Sequence, residues 1–145
     1  MNIEDLKKQI EFITSSEYHD GEFGHAVDVN SFPKKYREAN FLESYLQFLR
    51  AFGYGELDSS FYIEEQPLEW NEVFPKERNH LMGMCIFATD QGEYCYAFDS
   101  KSNFEVVEIA ADGELSESTL GDFRKFIADK LNDLVDIVKW RHENL

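Results

Sequence analysis

Apolar and polar positions alternate most regularly between Leu81 and Ile109, in the stretch LMGMCIFATDQGEYCYAFDSKSNFEVVEI. Met82, Met84, Ile86 and Ala88 fall on one side of an extended segment, and Cys85 and Phe87 fall on the other. Tyr94, Tyr96 and Phe98 repeat this spacing, as do Phe104 with Val106, or Val107 with Ile109 on the opposite side. A period of two in aromatic and β-branched residues is what a pleated strand packed on a core requires. Asp90-Gln91-Gly92 puts a glycine where a turn calls for positive φ, and Ser100-Lys101-Ser102-Asn103 is a short polar connection. The pattern predicts three antiparallel strands in a meander, with the remaining segments folded around it.

Elsewhere the period is helical. Ile3, Leu6, Ile10 and Ile13 recur at three and four residues and predict an amphipathic first helix. Ser15 to Gly24 is polar and reads as a loop. Ser31-Phe32-Pro33 signals a helix start, and Leu42, Tyr45, Leu49 and Phe52 form one stripe ending at Gly53 or Gly55. The pattern permits one helix here, or two broken near Ala39-Asn40. Phe61-Tyr62-Ile63 reads as a short strand, and Trp70 with Phe74 as a short helix that stops before Pro75. Thr119 with Asp122 resembles a capping box ahead of a long last helix, whose stripe is Leu120, Phe123, Ile127, Leu131, Leu134 and Val138. The expected class is α+β, an antiparallel-rich sheet flanked by helices, in a single domain over residues 1–145.

Charge changes the picture more than any other total. The net charge is −15, and residues 38–117 hold seventeen acids against four bases, while the flanking segments are close to neutral. Nucleic acid, which is bound by neutralising phosphates, is excluded as a partner by such a surface. A basic protein would be attracted to it. Glu64, Glu65, Glu69 and Glu72 form the densest acid group, with Trp70 among them as a candidate aromatic anchor. No apolar run approaches the roughly 20 residues of a membrane span, and the first residues lack the basic and apolar regions of a signal peptide. A cytoplasmic location is expected. Cys85 and Cys95 are the only cysteines and read as buried thiols.

Motifs for chemistry are sparse. Gly53-Tyr54-Gly55 does not continue into a phosphate-binding loop, and no serine sits in a Gly-x-Ser-x-Gly elbow. His19, Asp20, Glu22 and His25 lie close together without a metal-ligand spacing, and Asp90, Glu93 and Asp99 bracket a hairpin whose turn chemistry accounts for Asp90. No metal or cofactor is expected, and binding is favoured over catalysis.

Two stretches taken together resemble a known family. They are Leu42–Leu57, LESYLQFLRAFGYGEL, and Ile86–Asp99, IFATDQGEYCYAFD. Their order and spacing are similar to the SMI1/KNR4 family, or SUKH superfamily. There a Tyr-x-x-Phe-Leu helix runs into a glycine-bearing turn, then an Ala-x-Asp-x-x-Gly-(Asp or Glu)-x-(Tyr or Phe)…Asp strand pair, then a closing helix with Phe-x-x-Phe. Tyr45, Phe48, Leu49, Gly53, Gly55, Asp90, Gly92, Glu93, Tyr94, Asp99, Phe123 and Phe126 answer to these positions, with Gly92 one residue nearer to Asp90 and Tyr94 directly after Glu93. The resemblance covers about residues 36–131. It implies an α+β fold and a protein-binding role. Bacterial members are mostly immunity proteins that neutralise a cognate toxin, often a nuclease, and fungal members are regulators. The expected function is therefore non-enzymatic neutralisation of a basic toxin domain through an acidic surface carrying Glu64, Glu65, Glu69, Trp70, Glu72, Asp90 and Glu93. The alternatives are a regulatory scaffold binding a cellular protein, or a small-ligand sensor with a pocket near Tyr45, Trp70 and Tyr94.

Overall fold

A computed structural model describes residues Met1 to Leu145. It is an α+β fold built on one six-stranded antiparallel sheet in sequential order, from β1 to β6. The strands are β1 (Phe23–His25), β2 (Tyr54–Asp58), β3 (Phe61–Glu69), β4 (Met84–Thr89), β5 (Tyr94–Asp99) and β6 (Glu105–Ala110). The helices are α1 (Ile3–Thr14), α2 (Lys34–Arg37), α3 (Glu43–Phe52), α4 (Trp70–Val73) and α5 (Phe123–Asn144).

The expected meander is β4-β5-β6, with uninterrupted pairing from Tyr94↔Ala110 to Asp99↔Glu105. Its faces differ from a strict alternation at one point. Ile86 pairs with Ala97 and Ala88 with Tyr96, so Phe87 is an extra residue in the ladder. This bulge turns Ala88 onto the side of Phe87 and Cys85, away from Met84 and Ile86. Met82 lies outside the strand and is exposed. In the first turn positive φ falls on Gln91 (62°), not on Gly92. The Asp90 side chain closes that turn by accepting from the backbone N–H groups of Gly92 and Tyr94, both at 2.9 Å.

The expected short strand at Phe61 continues to Glu69. Between Ile63↔Ala88 and Leu68↔Ile86, four residues of β3 oppose one of β4, so Glu64–Pro67 bow out of register. The segment read as a loop ends in β1, which pairs with β2 at Phe23↔Gly55 and His25↔Tyr54. The glycines at the end of α3 make this pairing possible. Gly53 ends the helix at φ 82°, ψ −159°. A Cβ on Gly53 would lie 2.3 Å from the His25 carbonyl oxygen, and one on Gly55 2.3 Å from that of Glu22. Gly55→Ala is therefore expected to unpair β1, since it adds this clash to a φ of 130° that side chains avoid. Amide exchange at Glu56, whose N–H donates to Glu22 O at 2.7 Å, should rise at least about tenfold, with the β5–β6 amides unchanged. Unaltered exchange at Glu56 would contradict this.

The region of Ala39-Asn40 is a true break: α2 and α3 are separate, joined by a 3₁₀ turn at Asn40–Leu42. The last helix begins at Phe123 because Asp122 is its N-cap, accepting from the Lys125 N–H at 2.9 Å, so Thr119 does not cap it. Leu120 precedes the helix and pairs its backbone with Val106.

Both faces of the sheet carry a core. The larger packs α1, α3 and α5 on one side, and its centre is aromatic: Phe87 stacks on Phe98 at 4.2 Å, with Tyr45, Phe123 and Phe126 around them. The smaller lies on the other side, where Trp70, Phe74 and Leu81 cover Met84, Ile86, Ala97, Val107 and Ile109. The return segment 114–121 pairs its backbone along the outer edge of β6, which closes that edge.

Candidate functional site: an uncompensated acidic surface

Among the seventeen acids of residues 38–117, Glu38, Glu43, Glu69 and Asp58 are in ion pairs, with Lys34, Arg50, Lys35 and Arg141 respectively. The remaining thirteen have no cationic partner. The acidity of the middle segment is thus carried on the surface without neutralisation, where it acts at long range.

The expected binding residues separate into two groups. Glu69 and Glu72 are occupied by the fold. The Glu69 carboxylate pairs with Lys35 and accepts from the Tyr36 hydroxyl at 2.6 Å. It also forms a capping box with Glu72, whose side chain accepts from the Glu69 N–H at 2.8 Å. Burial acts to raise the Glu69 carboxyl, but Lys35 and Tyr36 outweigh it and hold it below the usual carboxylate range. Trp70 is 9% exposed and forms part of the smaller core. It is not a surface anchor. A tryptophan here is used to seal the second sheet face, which the density of acids around it in sequence conceals.

Glu64, Glu65, Asp90 and Glu93 stay at the surface, unpaired. Glu64 is half-buried in the β3 bow, and burial pushes its carboxyl above the usual value. Asp90 and Glu93 lie at the tip of the β4–β5 hairpin, which touches the β2–β3 turn where Gln91 Nε2 donates to Ser59 O at 3.4 Å. Glu93 is fixed through its backbone, its carbonyl accepting from Ala111 N–H at 2.8 Å.

The residues carrying the family resemblance are structural in position. Tyr45 is fully buried, with its ring against Phe87, Phe98 and Phe123, and its hydroxyl is left without a hydrogen-bond partner. Gly53 and Gly55 admit β1. The Asp99 side chain accepts from the Lys101 N–H at 3.0 Å and holds the β5–β6 turn. Gly92 sits in the first hairpin turn, and Tyr94, which follows it, is 37% exposed at the start of β5.

Tyr62 is the part of the surface that sequence reasoning missed. It pairs with Glu56 on one side and Thr89 on the other. Burial, and after it the nearby Glu64, Tyr54, Glu65 and Glu56, raise the Tyr62 hydroxyl above its ordinary value. A half-buried tyrosine therefore sits in a field of carboxylates. The alternation of Phe61-Tyr62-Ile63, with Phe61 and Ile63 in the core, carried the signal that Tyr62 faces outward.

Lys35, Tyr36, Glu69 and Cys85 are titratable side chains that come together around a hollow. The hollow beside Lys35, Tyr36, Glu69 and Cys85 is only about 100 Å³, and burial raises the Cys85 thiol, so it is protonated and weakly nucleophilic at neutral pH. Cys95 is pushed up to about 11 by burial and by Asp90. The two thiols are both free, and they do not pair across the hairpin, since Cys85 faces Phe98 and Cys95 faces Thr89. His19 is likewise accounted for by the fold: its Nε2 donates to the Glu56 carbonyl at 2.9 Å. His25 rests on the Tyr54 ring and contacts Glu22 at 3.3 Å. No group of three or more His, Cys, Asp or Glu is arranged to hold a metal ion. No helix is long and apolar enough to cross a membrane.

No family model, curated protein or solved structure matches the chain.

Proposed function

We propose that the chain is a non-enzymatic protein-binding module of the SMI1/KNR4 type, and that it acts as an immunity protein against a basic toxin. The observation that carries this reading is the thirteen carboxylates of the central segment that make no ion pair with a Lys or Arg. An enzyme that handled a small substrate would gather perturbed groups in a cleft. Here the shifted tyrosines and thiols owe their shifts first to packing. Spread, unneutralised charge instead accelerates encounter with an oppositely charged protein and selects against partners of like charge. A nuclease toxin holds phosphates with Lys and Arg, so its active surface is of the sign this protein attracts. The α+β architecture is the one the family resemblance implies.

The reading is tested by co-expression with the product of the adjacent gene. Growth is expected to be restored when this chain is present, and the two proteins are expected to co-purify. Cell death despite good expression of this chain would reject the immunity role.

A further inference from the structure

The second face of the sheet is closed over only part of its width. Trp70, Phe74 and Leu81 seal it above the meander. Toward β2 and β3 the row Glu56–Tyr62–Thr89 stays partly exposed. Beside Thr89 the surface dips into an open hollow of about 240 Å³, lined by Val73, Phe74, Cys95 and Ile109 among others. Val73 is 44% exposed at its rim. The strip therefore has a mixed apolar and tyrosine floor. Glu64 and Glu65 border it at the Tyr62 end, and Glu93 at the hollow. None of these three is in an ion pair.

We propose that this strip is the docking surface for a basic protein, which places Lys or Arg side chains over Tyr62 between Glu64 and Glu65, and an aliphatic side chain in the hollow beside Val73. The inference rests on the protein-binding reading above and adds the face and the partner's chemistry. An apolar floor with a charged rim is the usual anatomy of a protein interface. A cation over a tyrosine ring gains from the ring quadrupole, and flanking carboxylates add to that gain. A second copy of this chain is the wrong occupant, since it would bring a net charge of −15 against the same sign. Nucleic acid is excluded for the same reason.

The test uses a nona-arginine peptide as a probe on the full chain, with amide shifts followed by NMR. The shifts are expected to cluster at residues 54–65 and 89–95. The double variant Glu64→Lys/Glu65→Lys should weaken the peptide at least about tenfold. The control Asp133→Lys/Asp136→Lys makes the same change in net charge on the exposed side of α5 and should weaken it less than about threefold. Equal losses, or shifts spread over α5 and the loops, would overturn the assignment of the face. Because the shift map is measured on the unsubstituted protein, a variant that failed to fold would not spare the proposal. The same variants in the co-expression assay separate the two claims. Rescue lost with the strip variant alone supports both claims. Rescue that survives the strip variant overturns the face and leaves the immunity reading standing. A clustered map with no rescue by the unsubstituted chain supports the face and rejects immunity.

Discussion

Phe87→Ala is expected to lower the unfolding free energy by about 3–5 kcal/mol, the cost of deleting a buried phenylalanine from a core that cannot collapse around the gap. Phe87 is fully buried on β4, a strand with neighbours on both sides. Its ring stacks on Phe98 and meets Tyr45, Phe123 and Phe126 edge-on, at centroid distances from 5.5 to 5.9 Å. These four rings arrive from α3, β5 and α5, so the space left by Phe87 is walled by three separate elements. Relaxation by any one of them would disturb the others. Urea unfolding gives the measurement: the midpoint should fall with little change in the slope. Since a domain of this kind has about 5–15 kcal/mol in total, the variant should be marginal at growth temperature. A midpoint close to that of the unsubstituted protein would show that Phe87 is not at the centre of packing.

Asp58→Ala should cost about 3 kcal/mol, through a different mechanism. Asp58 is 4% exposed at the end of β2, and Arg141 reaches it from the last turns of α5 with two bonds, at 2.6 and 3.3 Å. The carboxylate also accepts from the Ser60 N–H and hydroxyl at 3.0 and 2.6 Å. Removing it strands the guanidinium and both Ser60 donors together, which is why the loss exceeds that of an exposed pair. Replacing both partners, as in Asp58→Leu/Arg141→Met, should cost less than Asp58→Ala alone, because no buried charge is then left unpaired. A double variant worse than the single would contradict this account.

The same pair sets a pH dependence. Burial acts to raise the Asp58 carboxyl, and Arg141 with Ser60 outweighs it, so the group titrates below its ordinary value. A depressed value in the folded state means the unfolded chain takes up the proton first as pH falls. The stabilisation is complete above the unfolded value of roughly 3.9 and is lost as pH drops through the folded one. Urea midpoints measured from pH 6 down to pH 2 should therefore converge for the unsubstituted protein and Asp58→Asn at the acid end. Parallel curves would show that Asp58 carries no such linkage.

The meander was legible because its strands alternate cleanly and its turns contain the residues that turns need. Helices α1 and α5 were legible for the same reason at the helical period. Strand β1 was hidden because three residues are too few to show a period, and Gly24 within them adds no side chain. Strand β2 was masked by glycine: Gly53 and Gly55 read as helix stops, and only the approach of the Glu22 and His25 carbonyls shows why both are needed. The bulge at Phe87 inverts the side of Ala88, which no alternating pattern can foresee. In the candidate site, acidity was legible as a total, but its use was not. Glu69, Glu72 and Trp70 look like surface from their neighbours in sequence, yet each has a structural task set by partners such as Tyr36 and Ile86. The pairing of Asp58 with Arg141 spans 83 residues and lay beyond any local signal. Tyr62 was hard to read because a single alternation, Phe61-Tyr62-Ile63, does not show which carboxylates the fold gathers around the outward ring.

The central claim, that unneutralised carboxylates on the sheet capture a basic protein, is tested most directly by the association rate with the basic toxin partner proposed above, followed by stopped flow at rising salt. Electrostatic capture requires the rate to fall steeply between low and physiological ionic strength, and to fall less steeply once Glu64 and Glu65 are reversed. A rate that stays flat with salt in the unsubstituted protein would mean that its charge plays no part in finding a partner.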